Sequence, residues 1–187
     1  MKFKKVFFAI VALGAALVLS GHFGWAALPA YMELEGENQG VIEGSCDRPG
    51  FEGTIVVYSF GHNVVIPRDP TSGLPTGHRT HNPLKILKEI DKSSPKLYQA
   101  LCTGEHLARV TLRFYRIDNT GQEEHYFTIF LEHAVIVSIT PSFPAAFLSQ
   151  NEAYRHMETV AFTYEKIKWT WEVDGIESED SWVVPKQ

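Results

Sequence analysis

The stretch Ser94-Pro95-Lys96-Leu97-Tyr98-Gln99-Ala100-Leu101-Cys102-Thr103-Gly104 is the clearest helix in a chain otherwise written in strands. Ser94 can cap it, since a serine hydroxyl accepts from the unpaired N–H groups of a first turn. Pro95 follows at the first helical position, where a missing N–H costs nothing. Leu97, Ala100 and Leu101 lie three and four residues apart and make one apolar stripe. Gly104 supplies the left-handed stop. The helix is about two and a half turns long, too short to persist alone in water. Its stripe must therefore lie on a sheet.

Strand patterns surround it. Tyr31 to Glu35 alternates, with Met32 and Leu34 on one face and Glu33 and Glu35 on the other. Val41 to Cys46 reads as a second strand. Thr54 to Phe60 is apolar on both faces, so something besides its own core must cover it. Val110 to Phe114 alternates and then slips at Tyr115, which predicts a bulge or a strand end. Asp118-Asn119-Thr120-Gly121 is a hairpin turn. Two β runs follow, Tyr126 to Leu131 and Ala134 to Thr140, meeting at His133. Val160, Phe162 and Tyr164 form one period-two set and Ile167, Trp169 and Trp171 another, which predicts a bulge near Glu165-Lys166. Asp174-Gly175 reads as a two-residue turn, and a closing strand runs from Ile176 to about Val184. Nine or ten short strands and one helix predict a mainly β domain, a barrel-like pair of sheets or a sandwich.

Two loops interrupt this pattern. Pro67 to Pro83 holds four prolines and two glycines and has no usable period. A structureless loop of this length is usually functional or interfacial. Its prolines stiffen it, so it reads as an extended arm that docks on another chain. Pro141 to Gln150 is the second, and exposes Phe143, Phe147 and Leu148.

Little here points to catalysis. No nucleophile elbow, phosphate loop, HExxH or CxxC pair is present, and no catalytic, cofactor or metal site is expected. His78 and His81 lack a nearby Cys or carboxylate pair at ligand spacing. Glu123 and Glu124 follow a turn and read as a solvated hairpin. Trp169 and Trp171 could stack a sugar, but the face they share with Ile167 favours core packing. Cys46 and Cys102 read as two small buried thiols, or as one bridge if the chain passes through an oxidising compartment. With 17 basic and 22 acidic residues the net charge is −5, which argues against nucleic acid as a partner. At 187 residues the chain suits one domain.

Residues 1–27 stand apart from that domain. Lys2, Lys4 and Lys5 precede an apolar run from Val6 to Leu19, and small residues follow up to Ala26-Ala27. This reads as a signal peptide or as an uncleaved anchor. The domain proper is 28–187.

Several ordered stretches resemble one known family: Pro29-Ala30-Tyr31-Met32, Leu34-Glu35-Gly36-Glu37-Asn38-Gln39-Gly40, Ile42-Glu43-Gly44-Ser45, and Gly53-Thr54-Ile55. Ile66-Pro67, Asp69-Pro70-Thr71, Thr76-Gly77-His78-Arg79 and Lys88 through Pro95 continue the match. Tyr164-Glu165-Lys166-Ile167, Trp169-Thr170-Trp171 and Asp180-Ser181-Trp182 complete it. From about Leu28 to Trp182 the chain is similar to hemolysin-coregulated proteins (Hcp), the tube subunits of bacterial type VI secretion systems. The resemblance implies a ring-forming β-barrel with one flanking helix, and no enzyme. It implies homohexameric rings stacked into a hollow tube, with a spike protein, a contractile sheath and small effectors in the lumen as partners. It also implies that the arm contacts adjacent subunits, through Pro67, Arg68, Asp69, Pro70, Gly73, Gly77, His78 and Arg79. Assembly would be cytoplasmic, with release through type VI secretion. Family members start near the position of Leu28, so residues 1–27 are either extraneous or the mark of a membrane or periplasmic variant. The competing reading is a periplasmic or anchored β-module that binds carbohydrate or peptide through Trp169 and Trp171.

Overall fold

The computed structural model describes residues 28–182. Its first strands are β1 (Ala30–Gly36), β2 (Gly40–Val41), β3 (Ile55–Gly61), β4 (Val64–Val65), β5 (Thr80–His81) and β6 (Leu84–Glu89). Helix α1 (Ser94–Thr103) precedes β7 (His106–Ile117), β8 (Glu123–Ser142), β9 (Met157–Thr163), β10 (Lys166–Trp171) and β11 (Ile176–Ser181). Six strands, in the order β8-β7-β1-β3-β6-β9 and back to β8, close a mainly β barrel. Closure leaves those strands without free edges. β10 and β11 form a wing beside it, and β4 with β5 make a separate small sheet.

β8 belongs to both barrel and wing. Its first half pairs with β10, from Trp171 opposite Phe127 to Lys166 opposite Glu132. Its second half pairs with β9, from Val135 opposite Thr163 to Ser142 opposite Met157. The two expected β runs are thus one strand, jointed at His133. That residue has φ 47°, the one positive φ outside glycine among the described residues. An L-residue with a Cβ enters this region at a cost. Opposite the joint, Tyr164 and Glu165 turn a corner between β9 and β10. The register offset seen in the sequence is therefore a change of partner along β8, not a bulge.

The core follows the alternation. Met32, Leu34, Ile55, Val57, Leu84, Ile86, Val110, Leu112, Ile129, Leu131, Ile136, Val160, Phe162 and Ile167 are buried together. The slip at Tyr115 is a bulge, between Phe114 and Tyr115. Leu97 and Ala100 of α1 join the cluster and Leu101 packs against it, with the helix lying along β8. Gly104 ends it at φ 67°.

The helix start differs from expectation. Ser93 is the cap residue and makes no side-chain cap bond. Ser94 is taken by a buried polar knot instead: its Oγ accepts from the Asp91 N–H at 3.0 Å and donates to Glu158 Oε1 at 2.7 Å. Lys88, 1% exposed, and Glu158, fully buried, face each other across β6 and β9 and pair at 2.7 Å. Lys88 Nζ also reaches Asp91 Oδ1 at 2.9 Å and the Glu89 carbonyl at 2.7 Å. Burial pushes the Asp91 carboxyl up, but hydrogen bonds from Ser93 and Lys88 outweigh it and hold the group below the usual carboxylate range. The buried ammonium is fully partnered, whereas Glu158 is bonded through Oε1 alone and its Oε2 is buried without a hydrogen-bond partner among the described residues.

Other expectations need correction. Of the expected Val41 to Cys46 strand only Val41 is regular, as the second residue of β2. The rest pairs irregularly, Gly44 N–H to Gly53 O at 2.8 Å and Cys46 N–H to Thr54 O at 3.2 Å. At Gly44 a Cβ would lie 2.3 Å from the Thr54 carbonyl oxygen, so only glycine lets the two backbones approach this closely. Cys46 is half-buried, Cys102 is exposed, and both are free thiols. The wing turn spans residues 172–175, two more than Asp174-Gly175, because Trp171 and Ile176 are the last pair. Glu123 and Glu124 do not act together: Glu123 binds Arg48, and Glu124 binds Arg116 at 2.8 Å. Of the two candidate stacking tryptophans, Trp169 packs on the core, whereas Trp171 lies edge-on to Tyr126 beneath the Arg116 guanidinium.

Candidate subunit interface

β3 begins as barrel wall and ends as something else. Ile55 and Val57 point into the core, but Tyr58 is 49% exposed and Phe60 is also uncovered. Beyond the turn, Val64, Val65, Ile66 and Leu74 are exposed as well. The strand that read as apolar on both faces thus leads an uncovered apolar run out of the barrel and into the arm. Tyr58 is steadied by its hydroxyl, which donates to Glu89 Oε1 at 2.5 Å. Burial and the Glu89 charge push that hydroxyl up to about 12.

The arm is a hairpin, not the irregular loop its prolines suggest. Val64 pairs with His81 and Val65 with Thr80, and a further bridge joins Arg68 and Pro75. Thr76 N–H donates to Pro67 O at 2.8 Å, and Asp69 N–H to Leu74 O at 2.9 Å. The prolines fit because Pro67 serves the ladder as an acceptor, which needs no N–H. Asp69 builds the tip: its Oδ1 accepts from Thr71 N–H at 2.9 Å and from Ser72 N–H at 2.6 Å. Ser72 and Thr71 together hold its carboxyl below the usual range.

Of the eight residues expected at a subunit contact, Pro67, Arg68, Pro70, Gly73, Gly77 and His78 are exposed along the arm. Asp69 is half-buried by its own turn. Arg79 points the other way. Its guanidinium clasps both carboxylate oxygens of Asp180 on β11 and donates to the Ser181 carbonyl at 2.7 Å.

Around Arg79 is a root that sequence reasoning missed. His81, its side chain 5% exposed, contacts Asp180 Oδ2 through Nε2 at 2.9 Å and the Tyr164 hydroxyl through Nδ1 at 2.6 Å. The same hydroxyl meets His62 Nε2 at 2.7 Å. Trp182 and Trp169 flank the His81 ring, with centroids 5.4 and 6.4 Å away. Arg79 holds the Asp180 carboxyl at about 2, against burial and with help from His81. Burial pushes the Tyr164 hydroxyl well above its ordinary value, and Asp180 adds to it. Burial, then His81, pushes His62 below its own. The sequence signal was slight: the three C-terminal motifs Tyr164 to Ile167, Trp169 to Trp171 and Asp180 to Trp182 all end up here.

A closed six-stranded barrel with one helix and a projecting hairpin can be compared with known proteins. The family described as type VI secretion system effector, Hcp, matches residues 31–171. The chain belongs to the Hcp family. It is 43% identical over 168 residues to the major exported protein of Pseudomonas aeruginosa PAO1, covering 85% of this chain and 98% of that one. Among solved structures, a doubly mutated Hcp1 of E. coli EAEC 042 is 37% identical with a TM-score of 0.74, covering 83% of this chain and 99% of the other. The secreted protein Hcp3 of P. aeruginosa is also 37% identical, with a TM-score of 0.69 and the same coverages. At 17% identity, Hcp1 of Salmonella typhimurium still shares the fold, with a TM-score of 0.62.

Proposed function

We propose that the chain is a structural, non-enzymatic tube subunit of a type VI secretion system. Six copies close into a ring, and rings stack into a hollow tube. A contractile sheath drives the tube, tipped by a spike protein, out of the cell and into a target. The lumen offers room for small effector cargo. Secretion follows cytoplasmic assembly, and residues 28–187 are the working unit. Residues 1–27, read above as a signal or anchor, lie outside the described residues.

One observation carries this reading beyond family membership: the uncovered apolar run from Tyr58 and Phe60 through Val64, Val65 and Ile66 to Leu74. Such a patch marks an interface. It leaves the barrel on one side, which suits a heterologous contact repeated around a ring; a second contact between rings gives the tube. Pro67, Arg68, Asp69, Pro70, Gly73, Gly77 and His78 present the arm to the adjacent ring, while Arg79 fixes it from behind.

Size-exclusion chromatography and negative-stain imaging test this. Annular particles that stack into tubes are expected from the purified protein. Deleting Ser72 to Gly77 should leave rings and abolish tubes. A folded protomer that stays solitary at high concentration overturns the proposal, and unchanged tubes after the deletion overturn the arm's part in it.

A further inference from the structure

The hydrogen bonds at the root of the arm can be assigned a direction. The Asp180 carboxylate only accepts, so His81 Nε2 carries a proton toward it. With the His81 ring neutral, Nδ1 accepts, and the Tyr164 hydroxyl donates to it. The tyrosine oxygen then accepts from His62 Nε2–H. The direction runs unbroken from His62 to Asp180, with every member satisfied.

Now add protons. If His62 alone is charged, its Nε2–H still donates to Tyr164 and nothing else changes. If His81 alone is charged, its Nδ1–H donates to the tyrosine oxygen. The hydroxyl then swings to His62 Nε2, which accepts in its other tautomer. Either state keeps all the bonds. With both rings charged, two N–H groups point at one oxygen, and the tyrosine proton has no acceptor. The ring centroids are 5.8 Å apart, so two like charges also meet in a half-buried site.

We infer that His62, Tyr164 and His81 form a latch at the root of the arm that tolerates one proton and is broken by a second. The charged and titratable groups facing the two rings are Arg79 before β5, Tyr164 at the β9–β10 corner and Asp180 on β11. Trp169 and Trp182 supply uncharged walls. Asp180 stays ionised to about 2, so above that pH it remains an acceptor for Arg79 and His81. His62 is the ring whose charge is opposed, by burial and then by His81. On acidification the arm loosens from the wing while the barrel, which does not use these bonds, stays folded. The effect on tubes rests on the tube-subunit reading; the effect on the arm does not.

Amide hydrogen exchange of the full chain, corrected for the intrinsic pH dependence, tests this. Between pH 7 and about 5, amides of residues 64–82 should exchange about tenfold faster, the factor set by one pKa unit of linkage. Barrel amides should not change. In His62→Gln, which cannot take the second proton, the arm should respond by less than about twofold. In Tyr164→Phe the arm should already exchange fast at pH 7 and show no acid step. A flat response in the wild-type chain, or equal acid steps in wild type and His62→Gln, overturns the latch. Tubes that fail to form while the arm shows the acid step count against the tube reading and leave the latch standing.

Discussion

The barrel and the arm are built from the same residue types and held in opposite ways. In the barrel, Ile55, Val57, Leu84 and Ile86 are buried against each other, and every strand has two neighbours. In the arm, Val64, Val65, Ile66 and Leu74 lie in the open on a two-stranded ladder. An isolated two-stranded hairpin is marginal in water. Besides the backbone joins to β3 and β6, the arm is held to the wing by the Asp180 cluster and the flanking Trp169 and Trp182. The barrel's apolar face is therefore covered within one chain, whereas the arm's apolar side chains stay uncovered in the protomer. β3 shows the change within a single strand, alternating from Ile55 to Val57 and then exposed at every residue from Tyr58 to Gly61.

The sharpest break between the two regions comes from truncation. Phe162→Ala should cost about 3–5 kcal/mol of protomer stability in urea unfolding, because the tightly packed barrel collapses only partly around the hole. The buried knot comes next. Lys88→Met should cost about 3 kcal/mol by leaving the buried Glu158 carboxyl with only the Ser94 hydroxyl as a partner, and pairing it with Glu158→Leu should recover much of the loss. Full additivity of the two would show that Lys88 and Glu158 do not act as a pair. A smaller effect belongs to the root. Asp180→Asn should cost about 1–2 kcal/mol, since two charge-assisted contacts weaken together. The arm amides, not those of the barrel, should register it. The pH sign follows from Asp180's lowered carboxyl. Its contribution is complete above the unfolded value near 4 and fades as pH falls toward about 2. The smallest protomer effect is Leu74→Ala, under about 0.5 kcal/mol, although light scattering should show weaker stacking. A loss at Leu74 as large as that at Phe162 would erase the distinction between the regions.

What could be read from the sequence follows the same division. The helix was legible because Pro95 and Gly104 act locally, and Leu97 and Ala100 need only a sheet to lie on. The barrel strands were legible wherever one face is buried, as in Met32 and Leu34 or Val160 and Phe162. The arm's ladder was hidden because Pro67 and Pro75 normally argue against strands, and nothing local says that Pro67 enters it as an acceptor while the bonds beside Pro75 are made by Leu74 and Thr76. Ser94 misled because a hydroxyl that can cap a helix can equally bind Glu158, and the choice is made by a residue 64 positions away. Asp180 gave least warning. It sits among Glu177 and Glu179 on an exposed strand, and its partners Arg79 and His81 reach it only in the closed fold.

The joint at His133 has a mechanical consequence. The arm is tied to Asp180 on β11, β11 is laced to β10, and β10 to the front half of β8, whose rear half is barrel wall. Tension on the arm therefore reaches the barrel by two routes, along the backbone into β3 and β6 and through the Asp180 cluster and the two ladders of the wing. The second route crosses the bend in β8, where the strand changes partner between Glu132 and Val135 around its one left-handed residue.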